Sequence, residues 1–216
     1  ALATLAGQLP YATSLALNRT GDIVLAEQRE EMKRSFDRPT PYTLGALFQT
    51  KAQKTKLETR TRIKSPSPFE AGQTETRYVG VQIFGGDRKD KASERILRQR
   101  GLLPDGYQMV PGKGIRLDRY GNVPGGTVQS ILKALLADYT GGRVNARRGT
   151  FVIGQVGGTP GIWKVQQNKW LPMFIFVRKP SYQRRLDYYG VSERTFARHW
   201  SEIFGKAVDD AIRTAR

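Results

Sequence analysis

The sequence predicts an α+β fold, on the evidence of a group of short apolar runs late in the chain and a helical pattern at each end. The runs lie at Thr150–Gln155, Gly161–Gln166 and Leu171–Val177 and are rich in β-branched and aromatic residues. Such runs are typical of strands, and Gly157-Gly158 and Gln167-Asn168 supply tight turns between them. We therefore expect an antiparallel β-meander packed against long N- and C-terminal helices.

The C-terminal helix is predicted to run from about Ser192 to Ala215. Its apolar residues recur at steps of three and four, so they share one face that is suited to cover the meander. These residues are Phe196, Trp200, Ile203, Phe204, Ala207, Val208 and Ala211.

The N-terminal helix is predicted from Leu2 to about Phe36, again from apolar residues at helical spacing. Pro10 either kinks this helix or marks its true start, because proline lacks the amide hydrogen that an internal helical turn needs. The two prolines within Asp37–Pro41 then end the pattern and disfavour helix there.

An extended basic hairpin arm is predicted next. Leu44–Gln49 and Leu57–Lys64 favour paired strands, and the loop between them is basic. Against the single acid Glu58, the arm carries six basic residues: Lys51, Lys54, Lys56, Arg60, Arg62 and Lys64. Two interpretations stay open: an arm that projects and touches a partner or phosphates, or a solvated hairpin with no partner.

The segment that follows the arm is predicted to be irregular. Ser65–Pro68 has the composition of a linker, and the residues up to about Glu75 show no periodicity. Tyr78–Phe84 is short and apolar, so strand and helix both stay open for it.

Two helices and a long loop are predicted before the strand block. Arg88–Arg100 has a narrow apolar face and is ended by Gly101, whereas Gly126–Tyr139 is more apolar. Between them, Leu102–Val123 is rich in glycine and proline and predicts a long loop with at most short turns. Arg143–Gly149 is predicted as a basic loop.

We predict a single α+β domain over residues 1–216. Its parts are the N-terminal helix at 1–36, a projecting arm and linker at 42–75, helices and a Gly/Pro-rich loop at 76–148, and the strand block with the C-terminal helix at 149–216.

The chain is strongly basic. It has 36 lysines and arginines against 19 acids, a formal net charge of +17. Such a field favours polyanions, which are nucleic acid, an anionic membrane surface or an acidic protein partner. A basic surface that only maintains solubility also stays open.

The sequence predicts no catalytic centre, cofactor or metal site. It has no cysteine, which excludes disulfides and thiolate metal ligands. His199 is the only histidine and lies beside Trp200 in the predicted terminal helix, where a boundary role is more typical than catalysis. Gly112-Lys113-Gly114 lacks the spacing and context of a nucleotide-binding P-loop. We therefore expect a non-enzymatic protein.

Membrane association is not predicted either. No run approaches the roughly 20 apolar residues of a membrane span. The first 18 residues are uncharged and moderately apolar, but Pro10 interrupts them and no basic region precedes them, so they do not predict a secretory signal.

A second basic group flanks the strand block. It consists of Arg143, Arg147 and Arg148 before the block and of Arg184 and Arg185 within Arg178–Arg185 after it. Together these residues are predicted to form a rim that contacts phosphates. Tyr182, Tyr188 and Tyr189 interleave with the later group and either stack on bases or pack in a core or interface.

Several short motifs occur in an order that resembles a family of phage structural proteins. They are Ala16–Thr20 on a helix, Tyr78–Gly86 before a basic helix, Pro160–Trp163, the F-V-R-x-P-x-Y segment Phe176–Tyr182, and Ala211–Arg216 in the closing helix. This order resembles the minor tail protein Z group, the neck or tail-completion proteins typified by phage lambda.

The resemblance implies a component of a tailed-phage virion without catalytic residues, assembled in host cytoplasm. Such proteins form homo-oligomeric rings at the head-to-tail junction, through which the genome passes. Their partners would be the portal or adaptor ring and the tail tube or tail terminator. Contact with genomic DNA would be salt-sensitive and indifferent to sequence.

One alternative from another class stays open. A protein that coats nucleic acid without sequence preference, and without being built into a ring, would carry the same positive charge. An enzyme acting on nucleic acid is the weakest reading, because the sequence offers neither a metal cluster nor a usable histidine.

Overall fold

The computed structural model describes residues 2–64, 75–137, 139–140, 143–144, 151–167 and 169–214. The α+β fold predicted from the sequence is confirmed: long helices lie at both ends of the chain and the sheets are antiparallel.

Helices make up about half of the described residues. They are α1 (Leu2–Ser35), α2 (Pro41–Leu44), α3 (Glu75–Phe84), α4 (Ala92–Gln99), α5 (Gly125–Ala137) and α6 (Tyr188–Thr214). The region whose state the sequence left open, Tyr78–Phe84, is therefore helical.

The described strands range from two to ten residues. They are β1 (Leu47–Thr50), β2 (Arg60–Ile63), β3 (Gly86–Asp87), β4 (Tyr107–Pro111), β5 (Tyr139–Thr140), β6 (Arg143–Val144), β7 (Phe151–Val156), β8 (Thr159–Gln166), β9 (Lys169–Arg178) and β10 (Ser181–Tyr182).

The described fold divides into two compact units. Unit 1 contains residues 1–85 and 183–216, and unit 2 contains residues 86–182. Unit 2 is thus inserted between α3 and α6 of unit 1.

In unit 1, α1 and α6 pack together through small residues. Ala12 and Ala16 of α1 and Ala207 and Ala211 of α6 are buried in one cluster. Small side chains let two helix backbones approach closely, so this contact extends along both helices. Pro10 lies inside α1 and does not mark its start.

An aromatic ladder on α6 joins the same cluster. The rings of Phe196 and Trp200 stack with centroids 5.2 Å apart, and those of Trp200 and Phe204 with centroids 5.1 Å apart. The predicted apolar face of the C-terminal helix therefore packs, within unit 1, on the N-terminal helix.

A second core of unit 1 gathers α1, α3 and the β1–β2 hairpin. Its buried members include Met32 of α1, Leu47 of β1, and Val79 and Ile83 of α3. Leu186, just before α6, completes it at 1% exposure. This core fixes the hairpin relative to the helices.

The prolines after α1 have a local consequence that the sequence did not predict. Thr40 caps the short helix α2, and Pro41 occupies its first turn. Proline is tolerated there because the first helical amide has no partner within the helix. Leu44, predicted to begin a strand, therefore belongs to α2, and the strand begins at Leu47.

In unit 2, the meander forms a four-stranded sheet in the order β4-β9-β8-β7. The predicted turn between β7 and β8 is present, with positive φ at Gly157 and Gly158. Leu97 of α4 and Ile131 and Leu135 of α5 share the sheet's buried core. Within unit 2, α4 and α5 are thus the helices that cover the meander.

Strand β4 corrects the prediction that Leu102–Val123 is a loop with at most short turns. Tyr107–Pro111 pairs antiparallel with β9, with Met109 opposite Phe176. The glycines and prolines on both sides obscured a five-residue run that ends at an edge position, where proline is allowed.

The start of α6 also differs from the prediction. The helix begins at Tyr188, and the Ser192 hydroxyl, expected at the N-terminus, donates instead to the Tyr188 carbonyl inside the first turns. Asp187 caps the helix, since its carboxylate accepts from the Gly190 amide at 3.2 Å.

Candidate partner-binding surface

The predicted basic hairpin exists, and β1 and β2 pair antiparallel with Phe48 opposite Arg62. It does not stand free of unit 1. At its tip, the Asn18 side chain of α1 donates to the Ala52 carbonyl at 3.0 Å and accepts from the Ala52 amide at 2.7 Å. Ala52 is buried by this contact.

The middle of the hairpin is fixed to the same helix. The side-chain amide of Gln49 donates to the Asn18 carbonyl at 3.2 Å and to the Thr59 hydroxyl at 2.8 Å. Gly21 makes room for this amide, since a Cβ at that position would overlap Gln49. A side chain at position 21 would therefore displace the Gln49 amide from its present position.

The base of the hairpin is held between α1 and α6. Gln28, 1% exposed, donates from its amide to the Ser192 hydroxyl at 2.6 Å and to the Thr61 hydroxyl at 3.3 Å. The Tyr188 hydroxyl donates to the Thr61 carbonyl at 3.0 Å. Residues distant in sequence thus make the hairpin a part of the body of unit 1.

Successive side chains of β2 point to opposite faces, so its basic residues lie on the same face. Thr61 and Ile63 lie toward the helices, whereas Arg60 and Arg62 are exposed on the outer face. Lys64 continues the same alternation beyond the strand and is also exposed. We call Arg60, Arg62, Lys64 and the turn residue Lys56 the outer hairpin face.

The hairpin's cations divide into paired and unpaired groups. Lys51 lies 2.5 Å from the Asp22 carboxylate, and Arg60 pairs with Glu58. Lys54 sits 4.9 Å from the centre of the Tyr11 ring, a cation–π distance.

Within the described part of the chain, the other three cations of the arm have no acidic partner: Lys56, Arg62 and Lys64. An exposed cation that no acid neutralises keeps its full charge for an external anion. The outer hairpin face therefore presents exposed positive charge on a fixed support.

The second predicted basic group is divided between the two units, and its rim stays a prediction. Arg184 and Arg185 belong to unit 1, whereas Arg143 and Arg178 belong to unit 2. Arg143 is described only as backbone of β6, and Arg147 and Arg148 lie outside the described residues.

The described members of that group also differ in pairing. Arg184 pairs with Asp187 at 3.0 Å, and the same carboxylate accepts from Arg194 at 2.8 Å. Arg194, with the Gly190 amide, lowers the pKa of Asp187. Arg185 is exposed and has no acidic partner among the described residues.

Two of the three interleaved tyrosines, Tyr188 and Tyr189, lie in different environments. Tyr188 is structural, because its hydroxyl donates to the Thr61 carbonyl. Tyr189 is 58% exposed, with its ring centroid 6.2 Å from that of Phe84. The spacing of these tyrosines among basic residues did not show which of them is half-buried and which is exposed.

A buried ion pair in unit 2 was not predicted. The carboxylate of Glu94 is fully buried and accepts from both terminal nitrogens of Arg88, at 2.6 and 2.7 Å. It also accepts from the amides of Lys91 and Met109. Burial alone would raise the pKa of Glu94, but these hydrogen bonds outweigh it and hold that pKa below its ordinary value.

A second acid, Asp90, extends this ionic group. It lies 3.0 Å from Arg98 and 3.3 Å from Lys179. Burial opposes ionisation, yet hydrogen bonds from both cations lower the pKa of Asp90. Arg98 also donates to the Tyr107 carbonyl at 2.7 Å. We call Arg88, Glu94, Asp90 and Arg98 the buried ion network, and its geometry is structural.

The Gly112-Lys113-Gly114 segment has a structural role too. The amides of Gly112 and Gly114 donate to the carbonyls of Met173 and Pro172, each at 2.8 Å. A Cβ on Gly112 would overlap the Pro172 carbonyl oxygen. The glycines therefore allow a close backbone approach, and their amides are already occupied.

The described ranges contain no group of three or more His, Asp or Glu residues arranged to hold a metal ion, and none of their helices has the length and apolarity to cross a bilayer. His199 lies half-buried on α6.

Comparison of the chain with protein-family models, curated proteins and solved structures finds no match. What bears on function is therefore the chain's own sequence and geometry.

Proposed function

We propose that this chain is a non-enzymatic structural protein of a tailed-phage virion. In this proposal it forms part of the head-to-tail neck or tail-completion ring around the DNA path. The order of motifs from Ala16–Thr20 to Ala211–Arg216, similar to that of the minor tail protein Z group, supports the virion assignment.

The observation that carries the proposal is the outer hairpin face. Lys56, Arg62 and Lys64 are exposed, lack acidic partners among the described residues, and lie on a hairpin anchored to both α1 and α6. An anchored cation loses less conformational entropy on binding than one on a free arm. Such a surface suits a lasting contact with a polyanion or an acidic neighbour.

In a ring, the positive charge of each copy would add to that of the others. Each copy would add its hairpin to a circle of positive charge, so the field would grow with copy number. A lumen lined densely with cations would retard DNA. We therefore assign the outer hairpin face to contacts with neighbouring rings or with the phosphate backbone near them.

Mass photometry tests the assembly. The protein is measured alone, with the portal, adaptor and tail proteins of the same phage, and with random-sequence duplex DNA. We expect a defined ring, or a complex that forms only with virion partners, together with weak binding to DNA. A monomer that ignores those partners yet loads onto any duplex at low salt would contradict the proposal and favour the DNA-coating alternative.

A charge-reversed pair of variants locates the contact. Arg62→Glu with Lys64→Glu should abolish the partner complex. Arg95→Glu with Lys133→Glu is the matched control, since both residues are exposed on helices of unit 2 without an acidic partner among the described residues and the net charge changes equally. If both double variants lose the complex alike, only total charge matters and the hairpin assignment is wrong.

A further inference from the structure

The two edges of the unit 2 sheet are built differently. On β4, the outward-facing groups are already occupied: the Met109 amide donates to Glu94 at 2.8 Å, and the Tyr107 carbonyl accepts from Arg98 at 2.7 Å. Pro111, at the end of the strand, has no amide hydrogen to offer. Charged side chains and proline are the usual protection against pairing with another chain.

Among the residues that the structure describes, nothing protects the opposite edge, β7, in this way. Val156 and Thr159 flank the two-residue turn at Gly157-Gly158 and therefore form a hydrogen-bonded pair. By alternation, the peptide groups of Phe151, Ile153 and Gln155 point away from β8. Pro160, opposite Gln155, agrees with this register because it has no amide hydrogen to donate.

No hydrogen bond joins the outward peptide groups of β7 to any residue that the structure describes. The strand reads F-V-I-G-Q-V and holds neither charge nor proline. Its β-branched residues favour an extended strand, and its outward peptide groups have no partner among the described residues. A strand with both properties tends to pair with another strand.

We propose that β7 pairs with β7 of a second copy of this chain, antiparallel and across a two-fold axis at Ile153. This register places Phe151 opposite Gln155 of the second copy, so that all outward peptide groups of the strand find partners. The result would be a continuous sheet that runs through both copies. This inference does not depend on the virion assignment.

A second copy of β7 is the occupant that the described residues favour. The edge of β1 is held by α1, since Arg29 donates to the Leu47 carbonyl, and the edge of β2 accepts from Tyr188. β4 is protected, and the remaining described strands have two residues each. Thus β7 is the longest open edge, and it is complementary to itself.

Cysteine cross-linking tests the register, because the chain has no cysteine of its own. Ile153→Cys would lie opposite itself, with Cα atoms about 5.5 Å apart, within disulfide range. Gln155→Cys is the matched control, since its two copies would be roughly 13 Å apart along the strand. We expect a disulfide dimer from the first variant and not from the second under mild oxidation.

Sedimentation of uncross-linked protein across a wide concentration range supplies the second readout. Gln155→Pro removes one outward amide hydrogen and leaves the hydrogen bonds between β7 and β8 in place. It should therefore raise the dimer dissociation constant roughly tenfold or more. Gln155→Thr keeps the amide and should leave that constant unchanged. A wild-type monomer at every concentration, or equal cross-linking of both cysteine variants, would overturn the proposal.

Discussion

The arginines of the hairpin and those of the buried ion network have the same guanidinium group but differ in burial and in acidic partners. Arg88 pairs with a carboxylate that is fully buried, and its own side chain is 12% exposed. Arg62 stands on a strand's outer face without an acidic partner among the described residues. One group holds the fold together, and the other remains available to an external anion.

This difference shows why net charge alone says little about function. The formal net charge of +17 counts cations that pair with acids inside unit 2 together with exposed cations on unit 1. Only those of the second kind contribute to a binding field at close range. Substitutions in the buried ion network are expected to change stability, and substitutions on the outer hairpin face are expected to change binding.

The largest effect is expected from Glu94→Gln. It removes the charge that compensates Arg88 in a buried site, and breaking such a pair costs about 3–5 kcal/mol. Urea unfolding measures the loss. Asp22→Asn, which removes the partner of exposed Lys51, should cost less than about 1 kcal/mol. Equal losses would mean that the two regions do not differ as described.

The same network predicts acid sensitivity. The pKa values of Glu94 and Asp90 are lower in the folded protein than in the unfolded chain. Their stabilisation is therefore complete above the unfolded carboxyl pKa of about 4 and is lost as pH falls through the folded values. Unfolding free energy measured from neutral pH downward should drop in that window.

Glu94→Gln serves as the control for this acid profile. The variant should show a shallower decline below about pH 4, because one of the two carboxylates is gone. A decline as steep as that of the wild type would assign the acid sensitivity to other groups.

A smaller loss is expected from Gly112→Ala. The added methyl group would overlap the Pro172 carbonyl, and overpacking of this kind costs about 1–3 kcal/mol. Thermal unfolding reports it. Gly125→Ala at the start of α5 meets open space and should be neutral or slightly stabilising. If Gly112→Ala is also neutral, the loop after β4 and strand β9 are not packed as closely as the structure has them.

Asn18→Ala should loosen the hairpin without disrupting unit 2. It removes both hydrogen bonds to Ala52, a loss of about 1–2 kcal/mol. Tryptic cleavage at Lys54 and Lys56 should become faster, since the hairpin tip opens more often. Thr13→Ala removes only a local hydrogen bond on the same helix and is the control. Unchanged cleavage in Asn18→Ala would show that the hairpin does not need this anchor.

The sequence predicted the periodic elements well. The strands β7, β8 and β9 and the helices α4, α5 and α6 carry their pattern within a few residues, so local periodicity was enough to find them. β4 was missed because its apolar run is short and prolines and glycines surround it. The helical state of α3 was left open because the apolar run Tyr78–Phe84 is too short to distinguish the period of a helix from that of a strand.

The candidate surface was predictable only in part. The basic residues of the hairpin were visible in the sequence, as was their alternation on β2. Its anchors were not, because Asn18 and Ala52 are 34 residues apart and Gln28 and Ser192 are 164 apart. Pairing also escaped prediction, since nothing local shows that Arg60 is neutralised by Glu58 and Arg62 is not.

The salt dependence of binding to random-sequence duplex DNA tests the central claim most directly. Each phosphate that a cation neutralises adds about 0.9 to the slope of log affinity against log salt. Arg62→Gln with Lys64→Gln should reduce the slope by about 1.8, while Arg95→Gln with Lys133→Gln should leave it unchanged. Equal slopes for both double variants would contradict the account, because the outer hairpin face would then be no more available to a polyanion than the rest of the surface.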